Sequence, residues 1–182
     1  VTSQNPEEKI NKLALDEMIA HIDDLLSKQM DEVLHNKDFQ KLESTWRGIR
    51  FLVERTNFNE NIKIVLSDIT KEEALEDFDS NLDITQSVMY KQIYSQEYGQ
   101  FGGEPIGAII GDYELDKTNT DMTFLHKMSS IAAMSHSPFL TSLSSKFFGL
   151  ENYAELENIK DMKSMLEGPQ YTRWRTFREN ED

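Results

Sequence analysis

At 182 residues, with 38% hydrophobic and 29% charged side chains, the chain is long enough to bury a core and too apolar to be disordered. It carries 33 acidic against 19 basic residues, a net charge of −14, so its surface repels phosphate backbones and nucleic acid is not an expected partner. Cysteine is absent, which excludes disulfides, thiolate zinc sites and cysteine nucleophiles and suits a reducing cytoplasm, and no apolar run of about 18 residues offers a membrane span.

In chain order, Pro6-Glu7-Glu8 reads as a helix start, since proline is tolerated in the first turn and acids suit the positive helix end. From Ile10 to Leu34, Leu15, Met18, Ile19, Ile22, Leu25, Leu26, Met30 and Val33 recur at helical spacing, predicting an amphipathic helix of roughly seven turns. After a break at Asn36, Phe39, Leu42, Trp46, Ile49 and Val53 advance by alternating threes and fours, which is heptad spacing. Two such helices joined by a short turn predict a helical hairpin, or a pair docked side by side on a sheet.

The character changes at Asn61. Ile62-Lys63-Ile64-Val65-Leu66 is short and β-branched, a strand by content. Asp68 or Thr70 can cap a helix running through Phe78, and Thr70 with Glu73 matches a capping box. A further helix is predicted from about Ser87 to Tyr98, followed by the glycine-rich loop Gly99 to Pro105. Ile106 to Gly111 is an apolar run without alternation, predicting a strand buried on both faces. A helix from about Asp121 to Ser135 and a strand from Pro138 to Leu143 follow. Shorter helical pieces fall around Tyr153–Leu156, Ile159–Leu166 and Tyr171–Arg178.

Strands alternating with helices predict an α/β fold: a small, mostly parallel sheet of three or more strands flanked by helices, behind two long N-terminal amphipathic helices. One domain is expected, with a leading helical pair in residues 1–58 and a βα-alternating region in residues 59–182. No signal peptide opens the chain, and a start at Val1 is what removal of an upstream segment leaves. Glu179-Asn180-Glu181-Asp182 ends without a closing element, as at a boundary inside a longer chain.

Candidate chemistry is sparse. Gly102-Gly103 precedes a strand and lacks a following lysine, whereas a phosphate loop follows a strand and opens a helix, so a structural turn is expected. Asp112-Tyr113-Glu114-Leu115-Asp116 alternates oxygen ligands like a calcium loop, but Lys117 stands where glycine is needed and Thr123 where a glutamate is needed. A strand-end loop of solvated acids is the expectation there. The histidines His21, His35, His126 and His136 form no H-E-x-x-H pair, and His136-Ser137 lacks the elbow of a serine hydrolase. A histidine near the negative end of a helix is the ordinary account of His136. Arg173-Trp174-Arg175-Thr176-Phe177-Arg178 mixes cations and aromatics, and on so acidic a chain it reads as a docking helix whose arginines meet carboxylates. No catalytic, cofactor or metal residue is therefore assigned. The alternative is a ligand-binding or hydrolytic α/β domain with a site near Gly103, Asp112 and His136. A regulatory adaptor that binds a basic helix through the acidic surface is a third reading.

Several stretches together carry a resemblance. They are Phe39-Gln40-Lys41-Leu42-Glu43-Ser44-Thr45-Trp46-Arg47-Gly48, then Ile93 to Pro105 ending in Phe101-Gly102-Gly103-Glu104-Pro105, then Ile110-Gly111-Asp112-Tyr113. Ser135-His136-Ser137-Pro138-Phe139 and Tyr171 to Asp182 continue in the same order. In this combination the chain, from about Lys9 to Asp182, resembles the TssC/VipB family, the large sheath subunit of the type VI secretion system. The resemblance implies a non-enzymatic cytoplasmic structural subunit. It implies pairing with the small sheath subunit TssB/VipA, assembly into a tube around Hcp, and contraction that propels the inner tube into a target cell. It implies disassembly by the ATPase ClpV through a segment outside this chain, and a C-terminal sheath domain beyond Asp182.

Overall fold

Local sequence signals and the observed elements agree most closely where a cap or an amphipathic stripe decides the structure. The computed structural model describes residues 12–98 and 100–179. The expected helix start at Pro6-Glu7-Glu8, Gly99 of the glycine loop and Asn180-Glu181-Asp182 lie outside the described residues. The chain divides into two compact units, Val1–Val65 and Leu66–Asp182.

In the first unit, α1 (Lys12–Leu34) and α2 (Lys37–Arg55) follow the two predicted stripes. Asn36 caps α2: its side-chain oxygen accepts the N–H groups of Asp38 at 2.9 Å and Phe39 at 3.2 Å, satisfying two otherwise orphaned donors. Glu43–Arg47 and Arg50–Glu54 ion pairs, each at 2.7 Å and one turn apart, line the polar side of α2. Neither helix buries its stripe. No residue of α2 is buried, and Met18, Ile22, Leu25, Leu42 and Trp46 all stand exposed. The two helices follow each other across the short turn at His35–Asn36, as expected of a helical hairpin, with their apolar stripes exposed.

The junction of the two units departs from expectation. Ile62–Leu66, expected as a strand, and the residues after it up to Thr70 adopt no regular structure. β-Branched content favours a pleated surface, but a strand needs a neighbour to take its N–H and C=O groups, and none is supplied among the described residues. The capping box then forms as predicted. Glu73 N–H donates to Thr70 Oγ1 and Thr70 N–H donates to Glu73 Oε2, starting α3 (Lys71–Ser80).

The helix expected over Ser87–Tyr98 is only briefly α-helical, as α4 (Val88–Tyr90), before a π-helical turn over Lys91–Ser95. Asp77 of α3 fixes its start by accepting the N–H groups of Val88 and Met89. The wider turn brings Tyr90, Tyr94 and Tyr98 into a stack with successive centroids 5.2 and 4.9 Å apart. It also carries Tyr98 OH to the Ser135 carbonyl at 2.6 Å.

Two strands, β1 (Ile109–Leu115) and β2 (Phe139–Leu143), pair in parallel, and α5 (Asn119–Ser135) is the crossover between them. Three or more strands were expected; among the described residues the sheet has two. β1 also starts at Ile109 rather than Ile106, and it alternates instead of burying both faces. α5 covers the face of Ile109, Tyr113 and Phe139, whereas Ile110, 57% exposed, and Leu140, 55% exposed, point away from the core. Between Gly111↔Thr141 and Glu114↔Ser142 the register shifts, so Asp112 and Tyr113 bulge from β1. The bulge is satisfied from β2: the Tyr113 carbonyl accepts from Thr141 Oγ1 at 2.9 Å and Ser142 Oγ at 3.0 Å.

The main core gathers Ala74 and Phe78 of α3, Met89, Ile93, Leu115, and Phe124, Met128 and Ile131 of α5. Phe124 is its hub, facing Phe78, Tyr113 and Phe139 at 6.2, 5.4 and 6.3 Å. A second cluster, Met122, Phe147 and Tyr171, is closed by α6 (Met162–Leu166) and α7 (Thr172–Glu179). Each large side chain buried this fully contributes roughly 1.5–3 kcal/mol.

Candidate functional site

The three residues of the candidate site have local structural work. Gly102 lies at φ +84°, and a Cβ on Gly103 would stand 2.2 Å from the Glu97 carbonyl oxygen, so the pair serves a tight turn that no side chain fits. Glu97 closes that turn by accepting the Glu104 N–H at 2.8 Å. His136 is the left-handed residue that ends α5, at φ 53°, with its N–H on Ala133 and its ring exposed. Two contacts join the glycine loop to this helix end: Tyr98 OH on the Ser135 carbonyl, and buried Ser137, whose hydroxyl donates to the Ile106 carbonyl. Asp112 was expected at the carboxyl end of its strand; it sits instead in the bulge within β1, on the exposed face. The strand continues past it because Glu114 and Leu115 resume pairing with β2. No group of three or more His, Cys, Asp or Glu among the described residues is placed to hold a metal ion.

The buried carboxylate and phenols have structural partners, whereas Trp174 Nε1 and Arg175 Nε on α7 are buried without a hydrogen-bond partner among the described residues. Asp121, 5% exposed, holds Lys71 at 2.9 Å and accepts the Asp116 N–H at 2.8 Å, tying the starts of α3 and α5 together. Tyr113 OH donates to the Ile69 carbonyl at 2.7 Å; burial first, then the carboxylates of Glu73, Asp112 and Glu72, push its pKa up. Tyr171 is raised chiefly by burial and donates to the Phe147 carbonyl at 3.0 Å. Both phenols remain neutral donors at physiological pH.

The aromatic and basic residues of α7 are divided between faces. Trp174 packs edge-on against Phe147 at 5.5 Å, so its ring is committed to the second core cluster. Arg178 lies 4.0 Å from Glu167, one arginine–carboxylate contact of the kind the sequence suggested. Arg173 and Phe177 line a groove with Met122, Thr123, His126 and Lys127 of α5, of about 300 Å³. Sequence reading missed this groove. The side chains on α5 follow helical spacing, but their pairing with α7 is a tertiary contact without a local signal. Gly103, Asp112 and His136 do not line it.

The stripes on α1 and α2 are open to a partner, with Met18, Ile22, Leu25, Leu42 and Trp46 all exposed. Exposed apolar side chains grouped in this way are a feature of interaction surfaces. Among the described residues no helix is long and apolar enough to cross a membrane.

Comparison with known proteins gives two matches. The family model for VipB, described as the EvpB tail sheath N-terminal domain, matches residues 16–182. The chain is 38% identical over 171 residues to the type VI secretion system sheath protein TssC1 of Pseudomonas aeruginosa, covering 93% of this chain and 34% of that protein. It therefore spans about a third of the length of the curated relative it matches.

Proposed function

The chain belongs to the VipB tail sheath N-terminal domain family, and from that premise we propose that it serves as part of a structural subunit of a type VI secretion contractile sheath. Sheath proteins act by assembling with further sheath subunits. In this reading the partner is the small sheath subunit TssB/VipA, the tube encloses Hcp, and ClpV dismantles the contracted form through a segment other than this one. The sheath acts in the cytoplasm. The chain takes no catalytic step; its contribution is packing energy that differs between the extended and contracted lattices. Gly103, Asp112 and His136 then shape a turn, a bulge and a helix end.

The observation that carries the reading is the family match over residues 16–182. The exposed stripes of α1 and α2 support it, since an assembly subunit keeps apolar surface that closes only on association. The acidic charge of −14 adds a constraint, favouring basic or mixed surfaces on the partner. The test is co-expression of a family-length protein carrying this sequence with a small sheath subunit, followed by electron microscopy. Tubes or ring-like fragments of tubes are expected; persistent monomers with no co-purifying partner contradict the proposal.

A further inference from the structure

Two features within the second unit complement each other in charge. The first is a knob. Leu82 is 107% exposed and lies between the exposed acids Asp79 and Asp83. Hydrogen bonds hold the chain around it. Asn81 Nδ2 donates to the Asp77 carbonyl at 2.7 Å, Asp83 Oδ1 accepts the Thr85 N–H at 2.9 Å, and Ser87 Oγ donates to the Ile84 carbonyl at 2.6 Å. A leucine displayed by a fixed loop loses little freedom on binding.

The second is the groove between α5 and α7. Its apolar lining is Met122 and Phe177, and Lys127 on one wall and Arg173 on the other flank them, with His126 beside. No carboxylate lines it, on a chain of net charge −14. Neither Lys127 nor Arg173 forms an ion pair among the described residues. Its volume of about 300 Å³ is at the low end for ligand pockets, a size for one apolar side chain with polar flanks.

We propose that the Asp79–Asp83 loop of one copy inserts Leu82 into the α5–α7 groove of a second copy, with Asp79 and Asp83 meeting Lys127 and Arg173. The contact cannot close within one chain. Phe124 faces Phe78 of α3, which leads into the loop, whereas Met122 and His126 face α7; at 3.6 residues per turn these directions are roughly 160° apart around α5. A knob on one face and a hole on another make a head-to-tail contact, which propagates as an open helical array rather than a closed dimer. The inference rests on the sheath reading for its context but names a contact which that reading does not supply. Asp83 is held ionised by the Thr85 N–H, its pKa lowered by that bond, so its charge is present at physiological pH.

This chain holds no cysteine, so the test needs only that any cysteine in the added segments and the small subunit first be replaced by serine. A family-length protein with Leu82→Cys is mixed with one carrying Thr123→Cys, a groove residue, in the presence of the small sheath subunit and a mild oxidant. A covalent heterodimer is expected, and the double variant should give a ladder of multimers, while Leu82→Cys with Glu157→Cys gives neither. Lys127→Glu with Arg173→Glu should weaken cross-linking about tenfold, and Asp79→Lys with Asp83→Lys in the other copy should restore it. Tubes without the ladder overturn this contact and leave the sheath reading standing. A ladder without tubes upholds the contact and counts against the sheath. Absence of both overturns the two together.

Discussion

The two units of this chain use apolar residues in opposite ways. From Leu66 onward, Phe78, Leu115, Phe124, Met128 and Ile131 are turned inward and closed into one cluster, with Phe147 and Tyr171 in a second. In the first unit the same kinds of residue form regular stripes on α1 and α2 whose described members, such as Met18, Ile22, Leu42 and Trp46, stand exposed. The difference teaches that helical periodicity records where burial is needed, not where it occurs within one chain. On the proposed reading, an exposed stripe of this kind is what an assembly subunit keeps for its neighbours.

Substitutions can sharpen this contrast. Phe124→Ala empties the hub of the main core and should cost about 3–5 kcal/mol, read from the denaturant midpoint of the second unit. Asp121→Asn leaves Lys71 facing a neutral group beneath α3; a loss of about 2 kcal/mol is expected. Thr70→Ala removes the cap of α3 and should cost about 1 kcal/mol.

The same cap gives a pH dependence. The Thr70 N–H and hydroxyl hold the Glu73 carboxyl below its ordinary value of 4.5. The folded value lies below the unfolded one, so this stabilisation is complete at neutral pH and lost as pH falls through the folded value. Between about pH 5 and 3, the midpoint of Glu73→Gln should therefore fall less steeply than that of the parent chain. An equal slope breaks the link between the capping box and acid stability.

At the small end, Trp46→Ala on α2, where Trp46 is 58% exposed, should shift the stability of the free chain by no more than about 0.5 kcal/mol. It should nevertheless weaken capture of a sheath partner about tenfold. If Trp46→Ala destabilises the free chain as much as Phe124→Ala does, the contrast between the units is wrong.

What could be read from the sequence follows the range of each interaction. The Thr70–Glu73 box spans four residues and was legible, as were the stripes of α1, α2 and α5. Ile62–Leu66 has strand content, but strand formation depends on a neighbour that no local pattern reveals. The bulge at Asp112-Tyr113 depends on hydroxyls of Thr141 and Ser142, some thirty positions away, so Asp112 looked like a strand end. The π-helical turn at Lys91–Ser95 is fixed by tertiary contacts of Tyr98 and Asp77, which a single-helix pattern does not encode. The glycine pair was readable as a turn because Gly102-Gly103 lacked the context of a phosphate loop. The groove was not readable, since α5 and α7 meet only in the fold.

The central claim is that α1 and α2 carry an assembly surface while the rest of the chain already has its core. Amide hydrogen exchange, compared between the free chain and a family-length protein assembled with the small sheath subunit, tests this most directly. The account predicts weak protection of Lys12–Leu34 and Lys37–Arg55 in the free chain, a large gain on assembly, and strong protection of α5 and β1 in both. Equal protection of α1 and α2 in the two states, or a gain confined to the second unit, contradicts it.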